Sequence, residues 1–206
     1  FRETMTDFFA TRRIGTKEFA DSLANLYSMY SFEALSSCQN LLSSHDVNRF
    51  LNLAEHKRDA ILGAIFMQAT FPGIAGIYYG DEVGLGGAGD PFNREPFPWH
   101  DEESWDANIL SYTKELMNLK NSTSILRFGS FELLNVQDDI VCFRRSLENE
   151  SMLCLVNRDR STKEIKIPST AESITIVHGD VEANIDEKNV IISNTSGEIG
   201  IIIQEQ

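Results

Sequence analysis

The chain has 206 residues, of which 42% are hydrophobic, and this is enough to form one large domain or two smaller ones with buried cores. Its 18 lysines and arginines and 31 aspartates and glutamates give a formal net charge of −13. A surface this acidic repels the phosphates of nucleic acids and anionic membranes, so neither is expected as a partner. A neutral ligand such as a sugar is not excluded by the charge.

The first half of the chain alternates predicted helices with short apolar strands. One helix is predicted from Thr16, which we expect to cap it, and two more are predicted over residues 55–69 and 105–120. Apolar runs at residues 38–42 and 76–79 predict the strands. Because a parallel pair alone leaves open edges and uncovered apolar faces, we expect these βα units to belong to a larger fold.

Beyond about residue 127 the hydrophobic pattern changes to the period of two that is typical of strands. Polar turns separate seven predicted strands, at residues 131–136, 140–145, 152–157, 164–167, 173–177, 190–193 and 199–203. Short strands at this spacing favour an antiparallel β-sandwich. The sequence therefore predicts an α/β part over residues 1–127 and an all-β domain over residues 128–206.

The cysteines favour a reducing compartment. Cys142 and Cys154 each lie in an apolar run, where a buried free thiol is the usual outcome. Sequons for N-glycosylation begin at Asn121, Asn149 and Asn194 and favour the secretory pathway instead. So short a pattern often recurs by chance, so the sequons carry little weight. We therefore expect a cytoplasmic location.

Polar side chains follow directly on the first predicted strand. In the segment NLLSSHDVNRF, residues 40–50, His45 and Asp46 come just after that strand. The carboxyl ends of parallel strands hold the active site in βα architectures. Histidine offers two ring nitrogens to sugar hydroxyls, and aspartate accepts two hydroxyl hydrogen bonds. The alternative, which the bare dipeptide favours, is that Asp46 only caps a helix beginning at Val47 and His45 is a satisfied neighbour.

Three ordered motifs resemble the α-amylase family of glycoside hydrolases. NLLSSHDVNRF resembles the family's fourth conserved region, in a form similar to that of neopullulanases, cyclomaltodextrinases and maltogenic amylases. FPGIAGIYYGDEVG, residues 71–84, resembles the eighth barrel strand and its exit, and GDPFNRE, residues 89–95, matches a family loop pattern. The resemblance implies the C-terminal portion of a (β/α)8 barrel, about strands 7 and 8 with their helices, over residues 1–127. A C-terminal β-sandwich over residues 128–206 would follow.

The resemblance also assigns roles by position. Asp46 would be a catalytic residue that stabilises the transition state, and His45 would bind the same sugar. Asp90 and Arg94 would bind sugars further towards the non-reducing end, although Arg94 could equally pair with a neighbouring carboxylate to hold its loop. Arg49 would hold these residues in position without contacting the sugar itself.

The implied enzyme is a retaining glycoside hydrolase that acts on α-1,4-glucans such as maltooligosaccharides, cyclodextrins, pullulan or starch. Such an enzyme needs a nucleophilic carboxylate and a carboxylic acid that flank the scissile bond. In the family both come from earlier barrel strands, and nothing in the 206 residues matches those motifs. We therefore expect the full-length parent to be active and this chain alone to be inactive.

Cofactor and partner expectations follow from the same resemblance. No cofactor or metal is expected for this chain, and calcium, which some family members bind, would be held by other segments of the full-length parent. The expected partner is an oligosaccharide or polysaccharide. Because the apolar faces of the two βα units would lack their neighbours, we expect the chain either to self-associate through its first half or to have a first half that is rearranged and partly mobile.

Two features of the sequence could suggest other classes of protein, but neither has the pattern that its class requires. Residues 84–89 match the GxGxxG pattern of dinucleotide-binding loops, but that loop must open a helix, which the prolines at 91, 96 and 98 prevent. Asp81, Glu82 and Asp90 could suggest a calcium site, but they lack the spacing of an EF-hand. Asp81 and Glu82 match a pair that is common in the family, and we interpret them as loop architecture.

The alternative function is that of a non-catalytic carbohydrate-binding or structural β-sandwich module. Aromatic residues exposed on one face of the sandwich would support it. Phe131 and Phe143 lie within the strand patterns instead and are predicted to be core.

Overall fold

The computed structural model describes residues 1–161 and 163–206. The helices are α1 Arg2–Met5, which continues into a π-helical turn at Thr6–Ala10, α2 Thr16–Met29, α3 Phe32–Ser37, α4 Phe50–Leu53, α5 Arg58–Thr70, α6 Ala107–Ser122 and α7 Ser124–Phe128. The strands are β1 Gln39–Leu41, β2 Ile74–Gly76, β3 Ser130–Gln137, β4 Ile140–Leu147, β5 Glu150–Asn157, β6 Ile165–Pro168, β7 Ile174–His178, β8 Glu182–Asp186, β9 Asn189–Ser193 and β10 Gly200–Glu205.

Strands β1 and β2 form a parallel pair in which Asn40 lies opposite Ala75. The first predicted strand is confirmed, whereas the second was placed too late in the sequence. Ile77, Tyr78 and Tyr79 satisfy the apolar pattern of a strand, but the Asp81 N–H donates to the Tyr78 carbonyl at 3.0 Å and closes a turn there. The aromatic run therefore forms the exit from the strand.

The three long helices are present, but their first residues differ from prediction. Helix α2 is capped at Gly15, whose N–H donates to the Glu18 carboxylate at 3.2 Å, so Thr16 is its first residue and not its cap. Glu55 and His56 have φ values of 52° and 59°, so α5 cannot start before them and begins at Arg58. Turn and cap chemistry, which periodicity does not reveal, decides these boundaries.

The second half contains two antiparallel sheets. A five-stranded sheet has the order β3-β4-β5-β10-β7, and a three-stranded sheet has the order β6-β9-β8. Each of the seven predicted strands is present. Strand β8 was missed because its sequence, EANID, carries three polar residues and its side chains alternate only between exposed and half-buried positions.

The five-stranded sheet is covered on both faces, because successive side chains of a strand point in opposite directions. Phe143 and Cys154 pack with the helices of the first half, whereas Cys142 and Leu155 pack with the three-stranded sheet. The molecule therefore has three layers with two cores. The predicted boundary at residues 127 and 128 falls at the end of α7, and the division into two domains there stays a prediction.

Two buried cations bind the carbonyls at the ends of the helices, one from helix α6 and one from the five-stranded sheet. The Lys120 ammonium donates to the carbonyls of Ala69 at 3.0 Å and Phe71 at 3.2 Å, and burial lowers its pKa to about 7. Arg145, on β4, donates to four carbonyls, those of Thr70, Leu126, Gly129 and Ser130. Among the described residues neither cation has a carboxylate partner. Both lie beside the C-terminal end of α5, where the helix dipole favours positive charge.

Candidate functional site

The loop after β1 exposes the His45–Asp46 pair at the carboxyl end of the strand. Ser43 is fully buried, and its Oγ accepts a hydrogen bond from the Phe50 N–H at 2.9 Å, so the residues between them bulge outwards. The side chains of His45 and Asp46 are 66% and 75% exposed, with Nε2 and Oδ2 3.2 Å apart. The next helix begins at Phe50 and not at Val47, so Asp46 caps no helix. Its carboxylate is therefore accessible to a ligand.

A second exposed polar pair lies on the loop that follows β2. Arg94 donates from Nη2 to Oδ2 of Asp90 at 2.6 Å, across a short turn at Phe92–Arg94. This is the pairing that the structural alternative for Arg94 predicts. It does not exclude sugar binding, because both side chains stay about half exposed or more and keep free donors and acceptors.

Hydrogen bonds of two asparagine side chains hold the two loops together. Asn93 donates from Nδ2 to the carbonyls of His45 at 2.9 Å and Val47 at 3.0 Å. In return, the Gly89 N–H donates to the side-chain oxygen of Asn48 at 2.7 Å. The two polar pairs are thereby fixed on one end of the molecule. Both asparagines belong to the motifs quoted above, but the sequence analysis did not select them. The sequence alone does not show which distant backbone group an asparagine side chain will bind.

Arg49 lies beneath the site and is completely buried. Its Nη1 donates to the Tyr79 carbonyl at 2.7 Å and lies 3.4 Å from the Asp81 carboxylate. The guanidinium carbon is 4.6 Å from the ring centre of Tyr78 and 4.9 Å from that of Tyr79, so two aromatic faces stabilise the charge. This position suits the supporting role predicted for Arg49, which stays a prediction.

Asp81 is also buried, and loss of hydration raises the pKa of its carboxyl to about 7, although Ser43 and Arg49 act in the opposite direction. Its place against Arg49 agrees with the interpretation as loop architecture. The folded protein thus retains a proton on this group between about pH 4 and pH 7, where the unfolded chain has released it.

We therefore expect the free energy of unfolding to fall as the pH rises from about 4 to 7, because a raised folded-state pKa stabilises the fold only while the proton stays bound. Asp81→Asn should reduce this slope, since asparagine does not titrate. Urea unfolding at intervals across that range would measure it. A variant with the same slope as the wild type would show that Asp81 does not titrate there.

Other candidate features carry no site in the structure. Residues 84–89 lead into a short turn and not into a helix, so the GxGxxG match lacks the helix N-terminus that a phosphate requires. Phe131 and Phe143 are buried, and the large apolar side chains exposed on the described strands of the sandwich are the aliphatic Val136 and Ile176. The described strands of the sandwich therefore lack the exposed aromatic residues that would have supported the alternative function as a carbohydrate-binding module.

Within residues 1–161 and 163–206, no three His, Cys, Asp or Glu side chains are grouped so that they could hold a metal ion. In the same part of the chain, every helix is too short or too polar to span a lipid bilayer.

Sequence comparison identifies relatives that include cyclomaltodextrinases and a neopullulanase. The cyclomaltodextrinase of Thermoanaerobacter pseudethanolicus is 32% identical over 165 residues, which are 80% of this chain and 29% of that protein. Neopullulanase 2 of Thermoactinomyces vulgaris is 30% identical over 174 residues, which are 82% of this chain and 30% of that protein. The chain thus spans about three tenths of the length of these relatives. No family model matches it.

Structural comparison agrees. The debranching enzyme of Nostoc punctiforme superposes with a TM-score of 0.81 and 25% identity, over 92% of this chain and 40% of that one. The motifs, the parallel pair with its exit loops and these two kinds of similarity lead to one assignment. The chain belongs to the α-amylase family of glycoside hydrolases.

Proposed function

We propose that this chain is part of a retaining glycoside hydrolase that acts on α-1,4-glucans such as maltooligosaccharides, cyclodextrins, pullulan or starch. The observation that carries the proposal is the exposed His45–Asp46 pair at the carboxyl end of β1, fixed next to the Asp90–Arg94 pair that follows β2. Ligands of parallel βα proteins bind at that end of the strands. The names of the relatives, cyclomaltodextrinase and neopullulanase, indicate the class of substrate.

In this proposal β1 and β2 are about strands 7 and 8 of a (β/α)8 barrel formed by residues 1–127, and the sheets of residues 128–206 form its C-terminal sandwich. The parallel register and the order β1, α5, β2, α6 support this, because each strand is followed by a helix as in successive βα units.

Asp46 would hold hydroxyls of the sugar at the point of cleavage. Its two oxygens can accept a pair of hydrogen bonds, which strengthen as the ring flattens towards the oxocarbenium-like transition state. His45 would bind the same sugar through a ring nitrogen. Asp90 and Arg94 would bind the next sugars towards the non-reducing end, while Arg49 keeps the loops in place.

The nucleophile and the general acid would come from a part of the enzyme outside these residues. We therefore expect the purified 206-residue chain to leave a chromogenic maltoside intact, whereas the full-length enzyme should hydrolyse it. Release of the chromophore, followed at equal molar concentrations of the two proteins, measures this. Turnover by the chain that survives further purification would show that it contains both groups.

We also expect the chain to self-associate through the free edge of β2. Ile74 on that strand is 53% exposed, and Phe128 near it is 52% exposed. An open strand edge beside exposed apolar side chains favours pairing with a second copy. Light scattering at micromolar concentration should give more than the monomer mass, and Ile74→Lys should restore the monomer. Ile176→Lys, at an exposed isoleucine of β7, is the matched control, and a wild-type monomer would refute the expectation.

A further inference from the structure

Exposed aromatic side chains are concentrated on the chain segment that carries Asp90 and Arg94. Of the aromatic residues that the structure describes, five are strongly exposed, and three of these lie on the segment that follows β2; the five are Tyr30, Tyr79, Phe92, Trp99 and Phe128. That segment also carries Asp90 and Arg94. Large apolar side chains exposed together on a soluble surface commonly mark a ligand-binding region.

Trp99 is the most exposed of them, at 68%, and yet its ring is braced by its neighbours. The ring centre of Phe97 lies 4.3 Å away, and that of Trp105 lies 6.5 Å away at a steep angle. Pro96 and Pro98 restrict the backbone on either side of Phe97. Trp99 therefore offers a large flat face whose position costs little conformational entropy to fix.

The backbone that links Arg94 to Trp99 is anchored at both ends. Tyr79 donates from its hydroxyl to the Glu95 carbonyl at 3.0 Å, which ties the start of the link to the exit of β2. Trp105 donates from its indole N–H to the Pro98 carbonyl at 3.1 Å, which ties down its end. The segment that carries both the Asp90–Arg94 pair and the Trp99 ring is thus tethered at two points between them.

We propose that Trp99 is a stacking platform for a glucosyl residue of an α-1,4-glucan, which extends the site beyond Asp90 and Arg94. The C–H groups on one face of a glucose ring are apolar and weakly positive, so they pack on the negative face of an indole. The hydroxyls at the rim of the same ring stay in water or reach the charged pair. The inference rests on the proposed function for the identity of the ligand, but it needs no catalytic group.

The experiment uses the two tryptophans of the chain, Trp99 and Trp105, as probes. Titration of the 206-residue chain with maltoheptaose should shift the tryptophan emission to shorter wavelength, because a sugar that covers the exposed Trp99 ring removes it from water. Trp99→Leu should lose the shift and bind maltoheptaose about tenfold more weakly by calorimetry. Trp99→Phe, which keeps a smaller aromatic face, should bind with an affinity between the two.

Two results would overturn the proposal: an unchanged dissociation constant for Trp99→Leu, or a wild-type chain whose emission does not respond to saturating maltoheptaose. Asp46→Asn separates this inference from the proposed function. If the Asp46→Asn chain binds maltoheptaose with the full emission shift, and the full-length enzyme with the same substitution keeps its kcat, the stacking platform is supported and the catalytic role of Asp46 is refuted. If instead that enzyme loses kcat and Trp99→Leu has no effect on binding, the catalytic assignment stands and the platform fails.

Discussion

In the full-length enzyme, Asp46→Asn should lower kcat for maltooligosaccharides by about 100-fold or more, while KM changes by much less. A group whose hydrogen bonds strengthen as charge develops in the transition state contributes on the order of 10²–10³ to kcat. An interaction formed equally with the ground state would raise KM instead. Because the Asp46 side chain is exposed and caps no helix, the amide should not disturb the fold. Steady-state kinetics with a maltooligosaccharide series measures the effect.

Asp186→Asn is the matched control, because Asp186 is also an exposed aspartate and lies on β8, in the sheet farthest from the helices. It should leave kcat within about twofold of the wild type, as surface substitutions away from a site usually do. An Asp46→Asn enzyme with the kcat of the control would remove Asp46 from the reaction. Circular dichroism of the two variants should match.

Arg145→Met should destabilise the chain by about 3–5 kcal/mol, which is a large part of the net stability of an ordinary domain. The guanidinium of Arg145 is completely buried and donates to four backbone carbonyls, which include those of Gly129 at 2.8 Å and Ser130 at 2.9 Å. Methionine fills a similar volume but donates no hydrogen bond, so buried carbonyls such as those of Thr70 and Gly129 lose this donor, and each such group costs about 1–3 kcal/mol.

Guanidinium chloride unfolding, followed both by circular dichroism and by tryptophan emission, measures this loss and shows whether the two halves unfold together. Arg145→Lys should fall between the wild type and Arg145→Met, since an ammonium keeps the charge but not the fork of donors. Arg127→Met is the control, because Arg127 is exposed at the end of α7. Equal midpoints for Arg145→Met and this control would show that the buried guanidinium does not hold the layers together.

Local pattern was enough to predict most of the elements. Apolar spacing placed the three long helices and all seven strands of the predicted sandwich, because one buried face per element imposes a period of 3.6 or 2. It failed where the pattern is ambiguous or absent. The apolar run of Ile77, Tyr78 and Tyr79 forms a turn, and the polar strand β8 buries too little to be recognised.

The candidate site was predicted as a set of residues but not as an arrangement. The motifs named His45, Asp46, Asp90 and Arg94, and the order of strand and loop placed each pair at a carboxyl end. That the two loops are bonded to one another depends on Asn93, whose partners lie 46 and 48 residues away. No local pattern encodes a contact at that separation.

The sequence by itself determined the charge, most of the elements, the family and the residues of the two polar pairs. Only the tertiary structure decided which groups are buried together: Arg49 with Asp81 beneath the loops, and Arg145 with the carbonyls at the helix ends. The physical reason is desolvation. A charged side chain looks the same in a sequence whether it is hydrated or buried, and only the surrounding chain decides whether it must find every partner inside the protein.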